Sequence, residues 1–238
     1  MQRLVNAAAL RATLGKWRHA GERIALVPTM GNIHEGHLSL IDVARAQADR
    51  VVVSVFVNPT QFDRPDDFAR YPRTLEEDAA VLASRDADVL FAPEVETLYP
   101  GGLELAAYIE PTHTAQALEG EFRPGHFRGM ATVVVKLLNL VRPQLAVFGE
   151  KDYQQLVVVR AVVRELLLPI EIVGVPTVRE ADGLAMSSRN RQLDTRERAL
   201  APQLHAELNT AAVRGAAPDA PLAAIEVQIG RASCRERV

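Results

Sequence analysis

The sequence predicts an α/β protein: a Rossmann-like, doubly wound parallel sheet with a smaller C-terminal α+β domain. Three observations support this fold class. Short apolar runs recur without the alternation of half-exposed strands, which is typical of parallel strands covered on both faces. Helix-like segments separate these runs, as right-handed crossover connections require. Polar loops follow the runs, at the edge of the sheet where such folds bind ligands.

The apolar runs and helical patterns define the predicted elements. Five runs are interpreted as strands, at residues 24–28, 51–57, 88–92, 145–148 and 170–175. Helical patterns lie at residues 38–48, 74–84, 130–141 and 154–167. Leu10, Leu14 and Trp17 also recur at helical spacing before the first strand.

The composition of the sequence changes after Val175, where the apolar runs end and a polar stretch typical of turns begins. We therefore expect a first domain at residues 1–175 and a second at residues 176–238. Residues 230–238, GRASCRERV, lack apolar periodicity and are interpreted as a non-native tail.

The composition excludes several classes of function. The 238-residue chain has a net charge of −3 and a pI near 6.1, so no overall cationic field favours nucleic acid. Cys234 is the only cysteine, which leaves no intrachain disulfide and favours a reducing compartment. No apolar stretch reaches the roughly 20 residues that span a bilayer. We expect a cytoplasmic protein with no nucleic-acid or membrane partner.

The loop after the first predicted strand, PTMGNIHEGH, has the strongest functional signal. His34 and His37 are three residues apart, so a helix that begins near Glu35 would place both on one side of its first turn. The free N–H groups and the dipole of a helix N-terminus attract phosphate. Gly31 and Gly36 remove side chains where a ligand would approach. This combination predicts a site for nucleotide phosphates.

Two other interpretations of the histidine pair remain open. A His-x-x-His pair can bind a metal, although HEGH lacks the four-residue spacing of the HExxH zinc-protease helix. The histidines can also be structural, each satisfied by its surroundings. The glycines and the strand-to-helix position favour the phosphate interpretation over both.

Two further loops carry residues suited to phosphate. In MSSRN, Ser187, Ser188 and Arg189 offer neutral and charge-assisted hydrogen bonds, although an ordinary polar turn has the same composition. In GEKDYQQ, Lys151 can place a charge on a polyphosphate and Asp152 can cap the next helix, although a solvated lysine is the alternative.

Amide and arginine side chains in two other stretches suit a smaller acid. NPTQF supplies Asn58 and Gln61, whose amides can bind hydroxyl and carboxylate groups without adding charge. EGEFRPGHFRG supplies Arg123, His126 and Arg128 just before an apolar helix, and an arginine there can hold a carboxylate with two hydrogen bonds. A surface loop would also account for the second stretch.

Together these motifs resemble the pantoate-β-alanine ligase (pantothenate synthetase) family of the HIGH-motif nucleotidyltransferase superfamily. The resemblance covers about residues 24–193, through PTMGNIHEGHLSL, VSVFVNPTQF, RYPRTLEEDAAVL, LEGEFRPGHFRG, VFGEKDYQQL and AMSSRNRQL in family order. HEGH stands where the superfamily has HIGH, and MSSRN stands where it has KMSKS. So many ordered motifs make the resemblance specific.

The resemblance implies an ATP-dependent, AMP-forming ligase with ATP, pantoate and β-alanine as substrates. In this family, pantoate and ATP form pantoyl adenylate and pyrophosphate, and the amine of β-alanine then gives pantothenate and AMP. A Mg²⁺ ion is implied with the triphosphate, with Glu77 and Asp78 as candidate ligands and a solvated helix face as the alternative for that acidic run. A homodimer is also implied.

The resemblance also assigns residues to roles. It implies ATP contacts from Met30, Gly31, His34, Gly36, His37, Gly149, Lys151, Asp152, Val178, Met186, Ser187, Ser188 and Arg189. It implies pantoate contacts from Gln61 and Gln155, with Asn58 and Arg123 as further pocket residues. His37 takes the position described as the family's proton donor. We expect the catalytic groups to act mainly by stabilising negative charge; they are His34, His37, Lys151 and Arg189.

The sequence departs from the family near its end. Family members usually carry a longer second domain that closes over the site, whereas here the pattern fades after about Ile229. The second domain is therefore interpreted as an incomplete lid, with an effect on closure and water exclusion. The competing functions are another HIGH-motif nucleotidyltransferase and a catalytically impaired nucleotide-binding fragment. The amides of NPTQF and GEKDYQQ argue against a phosphate-bearing acceptor, which would require more arginine and lysine.

Overall fold

The computed structural model describes residues 1–215 of the chain. The stretch interpreted as a non-native tail, residues 230–238, lies outside the described residues. The chain divides into two compact units, Met1–Pro176 and the part from Thr177 onwards. No helix within the described residues is both long and apolar enough to cross a membrane.

A six-stranded, all-parallel sheet forms the centre of the first unit. Its strands are β1 Gln2–Leu4, β2 Ile24–Thr29, β3 Arg50–Val55, β4 Val89–Phe91, β5 Leu145–Gly149 and β6 Glu171–Val175. Their order across the sheet is β1-β4-β3-β2-β5-β6. The chain builds β3 and β4 on one side of β2, and β5 and β6 on the other. The predicted doubly wound α/β fold is confirmed.

Helices cover both faces of this sheet. They are α1 Ala7–His19, α2 Glu35–Gln47, α3 Pro65–Arg70, α4 Leu75–Ser84, α5 Val95–Leu98, α6 Glu119–Phe122, α7 His126–Val141 and α8 Tyr153–Glu165. One core contains buried side chains of α1, α7 and α8, and the other contains those of α2 and α4. In β2, Leu26 belongs to the first core, and Ala25 and Val27 belong to the second. This two-sided burial explains why the strands lack polar alternation.

The structure extends the predicted set of elements. Strand β1 pairs with β4 at the edge of the sheet, with Gln2 opposite Val89 and Leu4 opposite Phe91. Three residues are too short for an apolar run, so this strand was not predicted. Helix α7 begins at His126 rather than at residue 130, because its polar-looking first turn also packs inward and both His126 and Phe127 are buried.

The strand order places the switch point of the fold between β2 and β5. From these two neighbouring strands the chain proceeds towards opposite edges of the sheet, and folds of this kind bind their ligands at the carboxyl ends of such strands. Those loops contain HEGH and GEKDYQQ. The fold therefore brings two separately predicted phosphate motifs to the same edge of the sheet.

The described part of the second unit consists of turns and short helices. A single antiparallel bridge joins Arg179 to Ala185. A 3-10 helix follows at Ser188–Gln192, and then α9 Thr195–Leu200 and α10 Pro202–Gly215. The carboxylates of Glu180 and Asp182 form ion pairs with Arg198 of α9, at 3.3 and 2.5 Å. These ion pairs connect the bridged turn to α9.

Candidate active site

The turn between β2 and α2 is held by a carboxylate from another helix. Asp78 of α4 is only 3% exposed, and its two oxygens accept hydrogen bonds from the N–H groups of Asn32, at 2.9 Å, and Ile33, at 2.7 Å. Thr74 Oγ1 donates to the same carboxylate at 3.2 Å. Gly31 has φ +85°, and a Cβ there would lie 2.8 Å from Asp78 Oδ2. Glycine at this position is therefore required by the anchor as well as by the left-handed backbone.

The histidine pair stands at the start of α2. The helix begins at Glu35, three residues before the predicted helical pattern at residues 38–48, and His34 is its N-cap. The backbone N–H of His34 donates to Nδ1 of His37 at 3.4 Å, and the two ring centroids are 4.0 Å apart. Because Nδ1 of His37 accepts a hydrogen bond, the neutral ring carries its proton on Nε2.

The surroundings keep the His37 imidazole neutral. Burial, with smaller contributions from His34 and Lys151, lowers the pKa of His37 to about 3. At neutral pH His37 is therefore a hydrogen-bond donor through Nε2 and not a cation. The end of β5 lies near α2, since a Cβ built on Gly149 would be 4.0 Å from Leu40 Cδ2.

The loop after β5 contains an exposed lysine, Lys151, and a glycine, Gly149, beside which there is free space. Gly149 ends β5, and a Cβ added there would meet no atom nearer than 4.0 Å. Lys151 is exposed, with Nζ 3.0 Å from Asp152 Oδ1. An exposed pair of this kind contributes little stability, so Nζ can exchange Asp152 for a phosphate oxygen at small cost. Helix α8 then begins at Tyr153 and carries the half-buried Gln155.

The amides after β3 form a buried network. Asn58 is 1% exposed and Gln61 8%. Asn58 Nδ2 donates to Gln61 Oε1 at 3.0 Å and to the carbonyl of Gly129 at 3.1 Å. Its Oδ1 accepts from the hydroxyls of Tyr99, at 2.8 Å, and Thr60, at 3.1 Å. Asn58 is thus engaged within the protein, whereas Nε2 of Gln61 has no hydrogen-bond partner among residues 1–215.

Arg123 is also engaged within the protein. Its guanidinium lies 3.3 Å from Asp63 and 3.1 Å from Glu119. Its Nη1 is 3.4 Å from Nε2 of His126, whose Nδ1 donates to the carbonyl of Gln61 at 2.8 Å. A carbonyl only accepts, so the His126 proton lies on Nδ1. Burial lowers the pKa of His126 and keeps the ring neutral. Arg123 therefore supports Gln61 through His126.

The MSSRN segment belongs to the second unit. The N–H of Met186 donates to the carbonyl of Val178 at 3.0 Å, so these two residues are neighbours. Ser187 caps the 3-10 helix, and its hydroxyl accepts from the N–H of Arg189 at 3.2 Å. Ser188 is half-buried and the Arg189 side chain is exposed.

The two acidic residues considered for Mg²⁺ do not fit a resident metal site. Both oxygens of Asp78 are already taken by backbone N–H groups of the turn. Glu77 is exposed on the helix surface. Within residues 1–215, no three His, Cys, Asp or Glu side chains are grouped to hold a metal ion. The structure gives Asp78 a different task, since it anchors the histidine-bearing turn.

Several residues that hold the candidate site residues in place could not be recognised in the sequence. Thr60, Tyr99 and Gly129 surround Asn58, and Asp78 was not recognised as an anchor. Their partners lie far along the chain: Asp78 is 46 positions from Asn32, so no local pattern marks the pair. One local feature, Gly129 inside the apolar helix α7, could have indicated the contact with the turn after β3. A glycine in the interior of a helix often marks the close approach of another backbone.

A doubly wound parallel sheet with a histidine-bearing turn at its switch point is typical of nucleotide-binding α/β enzymes of the HIGH-motif type. The family model described as pantoate-beta-alanine ligase matches residues 2–236. The chain belongs to this family, and the resemblance read from the motifs is confirmed.

Relatives and solved structures agree with the family. The pantothenate synthetase of Aeromonas hydrophila is 53% identical over 223 residues, which are 94% of this chain and 78% of that protein. That of Thioalkalivibrio sulfidiphilus is 57% identical over 212 residues, 89% of this chain and 74% of that protein. The structure of pantothenate synthetase from Thermus thermophilus matches with a TM-score of 0.89 and 47% identity, covering 98% of this chain and 82% of that one. A pantoate-β-alanine ligase from Francisella tularensis, complexed with beta-gamma ATP and β-alanine, matches with a TM-score of 0.83 and 41% identity, covering 88% of this chain and 79% of that one.

Proposed function

We propose that this chain condenses pantoate with β-alanine in an ATP-dependent, AMP-forming reaction that passes through pantoyl adenylate. The observation that carries the proposal is the start of α2, where a neutral His37 follows β2 at the switch point of the sheet, next to the strand whose following loop contains Lys151. Family membership supports it, as does the relative solved with beta-gamma ATP and β-alanine.

In the first step, a carboxylate oxygen of pantoate attacks the α-phosphorus of ATP, and pyrophosphate leaves. Negative charge develops on phosphate groups that are already anionic, so fixed donors at their positions lower the barrier. The N–H groups that begin α2, the Nε2–H of His37 and Nζ of Lys151 supply such donors. No general base is required, because the nucleophile is already a carboxylate. The family resemblance also implies nucleotide contacts from Ser187, Ser188 and Arg189.

In the second step, the neutral amine of β-alanine attacks the acyl carbon of pantoyl adenylate. The bond between that carbon and the bridging oxygen breaks, AMP leaves with the oxygen, and the new amide nitrogen loses a proton. This step depends mainly on placing the amine near the activated carbonyl. Gln61 and Gln155 are assigned to hold the pantoyl group through amide hydrogen bonds, which carry no charge that would compete for the amine.

The molecular setting is part of the same proposal. ATP is expected as its Mg²⁺ complex, which is the form of the substrate and not a resident metal. We expect a cytoplasmic homodimer that binds neither nucleic acid nor membranes. Light scattering after gel filtration checks the dimer: a mass near the 26.1 kDa of one chain would contradict it.

Pantoate labelled with ¹⁸O in its carboxylate tests the adenylate route. One labelled oxygen should appear in AMP for each pantothenate formed, because the bridging oxygen leaves with AMP. Production of ADP, with label in inorganic phosphate, would indicate an acyl phosphate and overturn the proposal. Pyrophosphate exchange without consumption of β-alanine would identify an impaired fragment, and a stable nucleotide adduct would identify another nucleotidyltransferase.

Removal of the Lys151 charge tests the assignment of the site. We expect Lys151→Ala to slow pantoyl adenylate formation by about 100-fold, since a fixed donor at the developing charge is lost. Lys16→Ala removes an exposed lysine of α1 and serves as the matched control. Rapid-quench measurement of pyrophosphate gives the rate. An unchanged rate in Lys151→Ala would remove this residue from the first step.

A further inference from the structure

A buried hydroxyl defines the orientation of the amides after β3. Tyr99 is 2% exposed, and its ring packs 6.5 Å from that of Phe56, with Lys136 Nζ 4.5 Å above its ring centroid. A phenylalanine would fill the same apolar space. The hydroxyl, however, donates to Asn58 Oδ1 at 2.8 Å, so it has a task beyond packing.

The hydrogen bonds around Asn58 allow only one amide orientation. On one side, Oδ1 faces the Tyr99 and Thr60 hydroxyls, both of which can donate. On the other side, Nδ2 faces the carbonyl of Gly129, which can only accept. A flipped amide would direct its oxygen at that carbonyl, and the two acceptors would repel each other.

The orientation of Asn58 in turn determines the orientation of Gln61. Asn58 Nδ2 donates to Gln61 Oε1 at 3.0 Å, so the oxygen of the Gln61 amide is occupied. Its Nε2 has no partner among residues 1–215 and remains to donate to a ligand. His126 fixes the same residue from the backbone side, through the Gln61 carbonyl at 2.8 Å. Gln61 is therefore prepared to bind an acceptor such as a carboxylate or a hydroxyl oxygen.

We propose that Tyr99 is a positioning residue for the acid substrate, because its hydroxyl, acting through Asn58, holds Gln61 with its NH₂ group directed at pantoate. This inference rests on the proposed function. Without the hydroxyl, Asn58 and Gln61 lose a constraint on their orientation, and Gln61 presents its oxygen to the substrate carboxylate in a fraction of the molecules. A polar contact in the wrong sense weakens binding of this one substrate and leaves the nucleotide turn unaffected.

Tyr99→Phe tests the proposal by its effect on individual substrates. We expect the KM for pantoate to rise about three- to tenfold, the range that one neutral hydrogen bond provides. The KM values for ATP and β-alanine should stay within about twofold of the parent values, since neither substrate depends on the Gln61 amide. Tyr108→Phe is the matched control, since its hydroxyl donates to the carbonyl of Leu103 near the surface, and it should leave all three values unchanged.

A double-mutant cycle separates positioning from packing. If Tyr99 acts through Gln61, Tyr99→Phe should lower kcat/KM for pantoate in the parent protein and have no further effect in a Gln61→Ala background. An equal effect of Tyr99→Phe in both backgrounds would overturn the proposal, as would a parallel rise in all three KM values or an unchanged KM for pantoate. Failure of the parent protein to make AMP from pantoate would instead count against the proposed function itself.

Discussion

At the scale of single residues, the candidate site depends on side chains whose state is determined by their neighbours. Burial of His126 and partial burial of His37 are the main causes of their lowered pKa values, and each neutral ring has its proton placed by one hydrogen bond. Asp78 holds the phosphate turn through two backbone N–H groups. These residues make the donors of the site available before any substrate arrives, which is the preorganisation that lowers a barrier involving charge development.

The pH dependence of stability tests the neutral state of His37. The pKa of His37 is lowered from 6.5 to about 3, so between these values the unfolded chain binds a proton that the folded protein does not. Stability is therefore lost as the pH falls through this window, by about 2 kcal/mol between about pH 6.5 and 4.5. In the His37→Gln variant, the free energy of unfolding should fall by about 2 kcal/mol less than in the parent over the same pH interval, because no titrating ring is present at this position. Urea unfolding at several pH values measures the difference. Parallel pH profiles for the two proteins would show that His37 is not buried as a neutral ring.

The role of Asp78 in holding the turn after β2 can be tested by comparing a substitution there with one at the adjacent Glu77. Asp78→Asn keeps the shape but turns one acceptor into a donor that faces the N–H of Asn32 or Ile33. We expect a loss of about 2 kcal/mol in the free energy of unfolding, and a higher KM for ATP with little change in that for pantoate.

Glu77→Gln provides the control for this anchor, because it makes the same change of charge on an exposed side chain of the same helix. Its stability should stay within about 0.5 kcal/mol of the parent. Indistinguishable kinetics and stability in the two variants would mean that the Asp78 contacts do not hold the turn.

At the scale of elements, α7 approaches the turn after β3 so closely that the contact requires glycine. A Cβ on Gly129 would lie 2.0 Å from the carbonyl oxygen of Thr60 and 2.7 Å from the N–H nitrogen of Gln61. The same helix contributes His126, whose ring holds the carbonyl of Gln61, and the Gly129 carbonyl that accepts from Asn58. Helix α7 therefore forms the back wall of the predicted acid-binding site.

A pair of glycine substitutions tests this contact. Gly129→Ala must displace backbone, and we expect it to destabilise the protein by about 2 to 3 kcal/mol and to raise the KM for pantoate. Gly15→Ala in α1 meets no atom within 4 Å, so it should stabilise the helix by about 0.5 to 1 kcal/mol. Thermal unfolding of both variants measures the difference. Stabilisation by both substitutions would exclude a close approach at Gly129.

How far the sequence predicts each element depends on the range of the interactions that form it. Helix α2 could be predicted to within three residues at its start, at residue 38 rather than Glu35, since its apolar face is a local pattern. The early start of α7 could not, because its first turn is polar in sequence and is buried only by the contact of His126 with the turn after β3. Strand β1 is likewise defined only by its pairing with β4.

At the scale of the whole molecule, the order of the strands explains why the motifs work together. The strands β2 and β5 are neighbours in the sheet although residues 29 and 145 are far apart in the chain. This adjacency places the loop that contains Lys151 and the turn that contains His37 after neighbouring strands. The fold class and the family could be predicted from ordered motifs. The network of Tyr99, Asn58 and Gln61 could not, because hydrogen bonds between distant segments leave no periodic pattern.

We propose that the triphosphate of ATP lies against the turn after β2, and a crystal structure of this protein with a non-hydrolysable ATP analogue would show where the nucleotide binds. We expect phosphate oxygens within hydrogen-bond distance of Nε2 of His37, of the N–H groups that begin α2 and of Nζ of Lys151. Nucleotide bound at saturating concentration anywhere else, with this crevice empty, would contradict the account.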